Sequence, residues 1–408
     1  MQPKRRVVRR AAADIVLVTV QGPDGPGITA ALTEVIAKFP SARLLDIEQT
    51  VVHRKLLLSL LLGFDGAVEH GAVLKELLFA AQGLGVQLSF DVFDPRWMQP
   101  AVDYQYAVTC LGAEVGAVPL SRIARALAAR RVNIDKIGKL TVQNLSCVEL
   151  LVHADRALDH RQLSRELLGL ATALEIDIAV QPADWLRRAK RLIALDMDST
   201  LIQTEVIDEL GREAGVERKM QAITTRAMQG RVPFREALAE RVRLLRGVRV
   251  AALDRVYRRI RLMPGAERLI RVLKHLGFRT ALISGGFTYF TERLQHRLGF
   301  DYAFANTLEL RNGALTGRVL GEIVDGERKA LLLTTIAQGE GIALDQVVAL
   351  GDGANDLPML ARAGLGIAFH AHERVRRQAA HGISARHGLD TILYLLGISD
   401  KDLAGLKI

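Results

Sequence analysis

The chain has 408 residues, of which 49% are hydrophobic and 25% charged, with 35 glycines and 11 prolines. This composition is typical of a globular protein of roughly two to four domains and excludes a disordered chain or a fibre. The longest apolar run, residues 56–64, is too short to cross a bilayer, so a buried strand and no membrane partner are predicted. The two cysteines have no metal-site spacing, which favours a reducing, cytoplasmic compartment over a disulfide scaffold or a thiolate zinc site.

The net charge is +10, and five basic residues lie within the first ten positions. A secretory signal peptide is the alternative reading of this start. Asp14 interrupts the apolar run that such a signal needs, and no small-residue cleavage site follows. Residues 1–13 are therefore predicted to be a solvated basic tail. The remaining positive charge favours anionic small molecules without identifying a partner.

Two similar modules are predicted at residues 14–96 and 102–182. Each has the order strand, helix, strand, strand, helix, strand, with period-2 alternation in the strands and 3.6-residue spacing in the helices. In the second module the first helix is predicted to begin at residue 120. This order predicts an antiparallel sheet with both helices on one face, and a unit present twice indicates paired modules rather than a solenoid.

The pattern changes in the segment 190–408, where strands alternate with helices. Three continuous apolar strands, at 191–195, 278–284 and 346–350, suit a parallel sheet that is buried on both faces. A largely helical insert, about 205–262, separates the first two strands. After the second strand, the pair Asn312-Gly313 predicts a hairpin.

Each of these three strands ends in a polar motif: DMDST, SGG and GDGAND. Ligands of open α/β sheets bind at the carboxyl ends of the strands, so the motifs should converge. Asp196 and Asp198 would then face one pocket together with Asp352 and Asp356. Four carboxylates in one cleft need a cation, and hard oxygen ligands suit Mg²⁺.

A phosphate group would accompany this cation. Glycines in SGG and GDGAND let backbone N–H groups approach an anion closely, Ser284 offers a hydroxyl, and Lys329 offers an ammonium. Each motif alone has another interpretation. The DxD pair could be a surface turn, GDGAND a calcium-like or plain turn, and Lys329 or its neighbour Arg328 an exposed helix residue.

In this order, D-x-D-S-T, S-G-G-F, a lysine and G-D-G-A-N-D resemble the haloacid dehalogenase superfamily of phosphohydrolases. The resemblance covers about residues 191–397. Through DSTLIQTEVIDEL, AMQG, LISGGFTYF, DYAFAN and VVALGDGANDLPML it is strongest to members that hydrolyse phosphoserine. It implies a Rossmann-like α/β core with a helical cap.

The two N-terminal modules resemble ferredoxin-like ACT domains, which sense amino acids. The first has GPDGPG in the expected loop, whereas the second has GAEVGAVP there and departs from the motif. The resemblance implies that serine, or another amino acid, binds at Asp24, Gly25 and Gly27 where modules of two subunits pair in a homodimer. A tight turn before a helix is the alternative interpretation of this loop.

For the catalytic site, the resemblance implies that Asp196 attacks phosphorus and that Asp198 acts as general acid and then general base. Mg²⁺ would be held by the Asp196 carboxylate, the Asp198 backbone carbonyl and Asp352. Asp356 would orient metal-bound water. Ser284, Gly285 and Lys329 would hold the equatorial phosphate oxygens. Asn355 would lie near Asp356, among the substrate-binding residues.

The substrate implied is O-phospho-L-serine. Glu205 would bind its amine, Arg241 its carboxylate, and Met228 and Phe234 would line a mobile lid. On the residues alone, Glu205 could be a helix-start carboxylate, Arg241 part of a solvated arginine-rich face, and the two apolar residues part of the core. The four histidines after residue 369 have no zinc spacing and are predicted at the surface.

Three rival functions remain at this stage. A related phosphatase or phosphotransferase would act on another small phosphomonoester and differ at Glu205 and Arg241. An amino-acid sensor would keep a silent phosphatase core, against which the complete carboxylate set argues. A nucleic-acid-binding protein would use the arginine-rich segment 241–261, but that segment has a single aromatic residue, so no nucleic-acid partner is predicted.

Overall fold

A computed structural model describes residues 14–64, 70–94, 104–142, 146–154, 160–228, 231–379, 381–384 and 387–406. The predicted basic tail, residues 1–13, lies outside these ranges. The chain divides into two compact units, residues 1–101 and 102–408. Among the described helices, none combines the length and apolar character needed to cross a membrane.

The first unit contains a four-stranded antiparallel sheet in the order β2-β3-β1-β4 with two helices. Its elements are β1 Asp14–Pro23, α1 Ile28–Ala37, β2 Ala42–Val52, β3 Lys55–Phe64, α2 His70–Gly83 and β4 Gln87–Val92. Val18 and Leu60 lie opposite each other on the central strands, and they share one buried cluster with Leu32 of α1 and Leu77 of α2. Both helices therefore cover one face, as predicted.

The second unit begins with the same architecture, a sheet in the order β6-β7-β5-β8. Its elements are β5 Tyr104–Gly112, α3 Ala117–Ala129, β6 Val132–Lys139, β7 Ser146–Ala154, α4 His160–Leu174 and β8 Asp177–Pro182. The predicted element order is confirmed. Helix α3 begins at Ala117 rather than residue 120, because Pro119 fits a first helical turn, where its missing N–H has no intrahelical partner.

A seven-stranded sheet in the order β12-β11-β10-β9-β13-β14-β15 follows, parallel except for the β11–β12 pair. The elements up to its second strand are α5 Trp185–Arg188, β9 Leu192–Leu195, α6 Val206–Glu213, α7 Glu217–Met228, α8 Phe234–Leu244, α9 Val250–Arg259, α10 Ala266–His275 and β10 Arg279–Phe287. The rest are α11 Thr288–Leu298, β11 Tyr302–Arg311, β12 Ala314–Leu320, α12 Gly326–Gly339, β13 Val347–Gly351, α13 Leu357–Arg362, β14 Leu365–Phe369, α14 Glu373–Gln378, β15 His381–Ile383, α15 Ile392–Leu395 and α16 Asp400–Gly405.

Strand β9 lies between β10 and β13, so the three strands predicted from sequence are immediate neighbours. Every residue of β9 and β13 is buried, as expected for parallel strands covered on both faces. The β11–β12 hairpin turns at Asn312 and Gly313, with φ angles of 51° and 75°. Two consecutive positive φ angles are what a tight type I′ hairpin needs, and the hairpin prediction is confirmed.

Helices α6–α9 form the cap, inserted between β9 and β10. The segment that leads from the core into the cap and the segment that returns from it lie antiparallel to each other, with Ile202 opposite Leu262. There Gln203 N–H donates to the Arg261 carbonyl at 3.0 Å, and Met263 N–H donates to the Leu201 carbonyl at 2.8 Å. The cap also packs on the core, because its Leu238 shares one buried cluster with Leu195 of β9.

The second module and the seven-stranded sheet share one hydrophobic cluster, which includes Cys147 of β7. At their junction Asp177 accepts hydrogen bonds from Ser384 N–H at 2.8 Å and Ser384 Oγ at 2.9 Å. His387 Nε2 lies 3.3 Å from the same carboxylate. The surface prediction is therefore wrong for His381 and His387, which are only 8% and 6% exposed, because this junction covers them.

Candidate active site

The Asp196 carboxylate lies where β9 ends. The Asp196 N–H continues the sheet by donating to the Leu350 carbonyl of β13 at 2.9 Å. Its side chain is 5% exposed and turns back, so Oδ1 accepts from Met197 N–H at 2.7 Å. The strand thus ends on a carboxylate that is fixed by the first N–H group of the following turn.

Lys329 of α12 provides the positive charge beside Asp196. Its side chain has no exposed surface, and its Nζ lies 2.9 Å from Asp196 Oδ2 and 2.7 Å from Asp356 Oδ1. Burial opposes the charged ammonium, but the two carboxylates outweigh it and hold the pKa of Lys329 above its ordinary value. Arg328, the alternative candidate, instead pairs with Glu322 at 3.2 Å on the surface.

The GDGAND turn after β13 brings two further carboxylates to this point. Asp352 Oδ1 accepts from Thr200 Oγ1 at 3.1 Å, and Asp356 Oδ2 accepts from Gly353 N–H at 2.9 Å. Carboxylate oxygens of Asp196, Asp352 and Asp356 lie within 4.8 Å of one another. Among the described residues this is the only cluster of acidic, histidine or cysteine side chains that could hold a metal ion.

The single ammonium of Lys329 does not neutralise this cluster, as the raised pKa values of two of its carboxylates show. Burial, followed by repulsion from Asp356, raises the pKa of Asp196 to about 7. Burial and repulsion from Asp356 and Asp196 raise the pKa of Asp352 to about 8. Lys329 opposes both shifts without cancelling them. A hard dication with oxygen ligands is the group that this donor set fits.

Asp198 lies in the turn after β9, which Ser199 closes with a left-handed φ of 54°. Asp198 Oδ1 accepts from Val206 N–H at 2.9 Å, at the start of the cap. Its Oδ2 lies beside Gly286, where any Cβ would come within 2.7 Å of it. Burial first, then the charges of Glu205 and Asp196, raises the pKa of Asp198 well above its usual value.

The SGGF segment runs along the end of β10 next to these carboxylates. Ser284 is fully buried, and its Oγ accepts from Gly286 N–H at 2.9 Å. Asn306 holds this segment from β11, because its Nδ2 donates to the Gly285 carbonyl at 2.8 Å. The Asn306 Oδ1 accepts from Val324 N–H at 2.8 Å, which fixes the amide orientation.

The cap contributes two charged side chains and one aromatic ring next to the carboxylates and the SGGF segment. Glu205 accepts a hydrogen bond from Ser199 Oγ at 2.9 Å. The residue keeps exposed surface, but burial of its carboxylate and then repulsion from Asp208 raise its pKa. The Phe234 ring lies over Gly285, where an added Cβ would be 3.1 Å from Cζ. Arg241, on α8, interacts by charge with Glu205.

Most sequence-predicted site residues are therefore placed around one pocket. Asn355 also lies there, with its Oδ1 close to Gly353. Met228 is the last residue of α7, and its side chain lies outside the described residues. Asp24, Gly25 and Gly27 belong to the first unit, in the loop between β1 and α1. Gly27 has a φ of 92°, a conformation that favours glycine.

Three residues that contact the site, Ser199, Thr200 and Asn306, were not predicted from the sequence. Thr200 and Ser199 stand inside the DMDST motif, so a signal was present, but their acceptors Asp352 and Glu205 are set by the folded geometry. Asn306 follows an ordinary strand pattern. Its contacts with two separate backbone segments could be found only from the fold.

Comparisons with known proteins agree with this architecture. A model of haloacid dehalogenase-like hydrolases matches residues 193–361, and two models of ACT domains match residues 14–91 and 105–181. The hydrolase match covers the first five strands of the seven-stranded sheet in chain order, and the ACT matches lie within the two N-terminal modules.

The relatives cover most of the chain. The phosphoserine phosphatase of Streptomyces coelicolor is 42% identical over 389 residues, which span 95% of this chain and 93% of the relative. That of Archaeoglobus fulgidus is 46% identical over 326 residues, 79% of this chain and 93% of the relative. The crystal structure of a haloacid dehalogenase family hydrolase from Salmonella enterica serovar Typhi has a TM-score of 0.63 at 32% identity, covering 71% of this chain and 98% of that one. The chain therefore belongs to the phosphoserine phosphatases among the haloacid dehalogenase-like hydrolases, and two ACT domains precede its hydrolase domain.

Proposed function

We propose that this enzyme hydrolyses O-phospho-L-serine to L-serine and phosphate through an aspartyl-phosphate on Asp196, as the last step of serine biosynthesis. The observation that carries the proposal is the Asp196 carboxylate held 2.9 Å from the buried Lys329 ammonium. A carboxylate nucleophile divides one difficult displacement into two easier ones. The fixed positive charge of Lys329 favours the ionised, nucleophilic form of Asp196 and would stabilise charge on the transferring phosphoryl group.

Asp198 is the proposed general acid and base. Burial, followed by the charges of Glu205 and Asp196, raises its pKa and so favours the protonated carboxyl, which can donate its proton to the leaving serine oxygen. The carboxylate that remains can then take a proton from the water that attacks the aspartyl-phosphate. Ser284 and the N–H groups of the neighbouring glycines are the proposed donors to the phosphoryl oxygens.

Mg²⁺ is the proposed cofactor. The Asp196 carboxylate, the Asp198 backbone carbonyl and Asp352 would hold it, with Asp356 beside them. The three clustered carboxylates, and the raised pKa values of Asp196 and Asp352, support this choice. When bound, the ion supplies electrostatic stabilisation of the phosphoryl oxygens.

The cap is proposed to select the substrate. Glu205 would bind the ammonium of phosphoserine and Arg241 its carboxylate, for which guanidinium is well suited. Phe234 would help to exclude water from the closed site, with Met228 beside it. The contact of Phe234 with Gly285 supports a lid that closes onto the phosphate-binding segment.

Phosphate release with Mg²⁺ tests the proposed substrate. We expect a strong preference for O-phospho-L-serine over phosphothreonine and sugar phosphates, and in Arg241→Gln a rise in KM for phosphoserine of roughly 10- to 100-fold, since a charge-assisted hydrogen bond is lost. Release from other phosphomonoesters but not from phosphoserine would keep the core chemistry and remove the proposed cap roles. No release from any of them by the folded chain would favour the sensor with a silent core.

The ACT domains are proposed to bind an amino acid and to join two subunits. In the first unit β2 is an edge strand with no second neighbour among the described strands. It exposes apolar side chains, namely Leu44, Leu45, Ile47, Val51 and Val52. An apolar open edge supports pairing with a second copy. Analytical ultracentrifugation of the full chain tests this, and a monomer at micromolar concentration would contradict it.

Serine is the proposed effector, bound at the loop of Asp24, Gly25 and Gly27. We expect isothermal titration of serine into the full chain to give saturable heat. Gly25→Val should weaken binding about tenfold, a change of about 1.4 kcal/mol, because the new side chain fills the loop. An added Cβ at Gly25 has only one neighbour, at 4.0 Å, so the fold should tolerate it.

Gly71→Val is the matched control for this titration, since Gly71 lies in α2 of the same unit and an added Cβ there meets no atom. Absence of heat with the natural chain would remove serine as effector. Equal binding by both variants and the natural chain would place the site elsewhere.

The cytoplasm is the proposed compartment. Both cysteines, Cys110 and Cys147, are free and buried, which supports a reducing environment.

A further inference from the structure

Asp208 is a half-buried carboxylate in the cap to which the proposed reaction gives no role. It stands in the first turn of α6, three residues after Glu205. Its Oδ1 has no accessible surface and no hydrogen-bond partner among the described residues. Burying a carboxylate oxygen without a donor costs stability, so such a group calls for an explanation.

Two cations act on Asp208, and one of them is already engaged. Arg241 and Arg212 both lower its pKa, whereas burial, Glu209 and Glu217 raise it, burial most strongly. Arg212 Nη1 lies 2.6 Å from Glu209, and Arg212 also pairs with Glu217 at 3.3 Å. Of the two cations, Arg241 is therefore the one that is not paired with another carboxylate and can interact with Asp208.

Arg241 and Asp208 act on each other by charge, and no ion pair joins them among the described residues. Its Nε donates to the Ala237 carbonyl of the same helix at 3.3 Å. In the described part of the chain its terminal nitrogens donate no hydrogen bond and form no ion pair. Among the carboxylates that act on Arg241, Asp208 acts most strongly, ahead of Glu205 and Asp198. The guanidinium therefore has terminal N–H donors available, and the charges of these three carboxylates act on it.

We propose that Asp208 is a positioning residue that holds the Arg241 guanidinium in the cap by charge and leaves its terminal nitrogens for the substrate's carboxylate. A bidentate Asp208–Arg241 pair would compete with that carboxylate for the same donors. Attraction between the two charges without a hydrogen-bonded pair keeps the arginine in place without this competition. Asp208 thereby favours phosphomonoesters that carry a carboxylate. This inference rests on the carboxylate-binding role proposed above for Arg241.

Two substrates that differ by one group test the inference. O-phosphoethanolamine has the phosphate and ammonium of O-phospho-L-serine but lacks its carboxylate. In Asp208→Asn we expect KM for phosphoserine to rise roughly tenfold, with a smaller change in kcat, because part of a charge-assisted contact is lost. The kcat/KM for phosphoethanolamine should stay within about twofold. The melting temperature should not fall, since the change removes the charge from a group with one buried oxygen that has no donor.

Glu236→Gln is the matched control, as it removes an exposed carboxylate on α8, the helix that carries Arg241. It should leave both substrates unchanged. Equal losses of Asp208→Asn on both substrates would overturn the inference, because they would indicate contact with the ammonium or a general structural role. An unchanged phosphoserine KM in Asp208→Asn, with a raised KM in Arg241→Gln, would overturn it as well. An unchanged KM in Arg241→Gln would instead remove the proposed role of Arg241 itself.

Discussion

Asp196→Asn is expected to lower the rate of phosphate release from O-phospho-L-serine by at least about 10³-fold, the scale of loss for a removed nucleophile. The amide has nearly the same shape as the carboxylate but cannot form an acyl-phosphate. It also removes one of the two carboxylates that contact the buried Lys329. The measurement is phosphate release at saturating substrate and Mg²⁺.

The loss should not come from unfolding. Asp196 is one of three crowded carboxylates, and its raised pKa shows that its ionised form is disfavoured in the metal-free protein. We expect the metal-free variant to melt at a temperature equal to or above that of the natural chain. Glu292→Gln, an exposed carboxylate-to-amide change on α11, is the control and should leave the rate unchanged. Substantial release by a repurified Asp196→Asn variant would point to another nucleophile.

The convergence of the carboxylates could be predicted from sequence because it follows from strand order. Apolar strands that end in DMDST and GDGAND place both motifs at one sheet edge, and β9 and β13 are in fact paired. Lys329 could be predicted only with Arg328 as an alternative, since neighbouring helix residues point in different directions. The register of α12 decides between them by burying Lys329 and leaving Arg328 at the surface.

The junction between the second ACT domain and the sheet could not be predicted. Nothing in the local pattern around Asp177 or Ser384 indicates that they meet, because the two segments are more than two hundred residues apart. Their contact buries His381 and His387, and the exposed-histidine prediction failed for that reason. The role proposed for Asp208 could not be predicted either. It depends on Arg212 being paired with Glu209 and Glu217, which only the folded cap shows.

Lys329→Met is expected to destabilise the metal-free protein by about 3–5 kcal/mol, the usual cost of removing one partner from a buried ion pair. Methionine is of similar length, so packing is largely retained, while Asp196 and Asp356 face each other without a cation. The rate should fall by roughly 10²–10³-fold, because a fixed charge beside the transferring phosphoryl group is lost. Chemical denaturation and phosphate release measure the two effects.

Arg328→Met is the matched control on the same helix. Arg328 pairs with Glu322 across exposed surface, so this change should cost no more than about 1 kcal/mol. Comparable losses from the two variants would contradict the assignment of Lys329 to the site.

The pH dependence of the Lys329→Met deficit separates charge from packing. Without the ammonium, the pKa of Asp196 rises further in the folded state, whereas the unfolded chain keeps an ordinary value. The folded variant then binds more protons than the unfolded chain, so its stability falls as pH rises. Since the pKa of Asp196 is about 7 even with Lys329 present, the deficit should be larger at pH 8 than at pH 5. A deficit of equal size at both pH values would show that Lys329 stabilises the core by packing rather than by its charge.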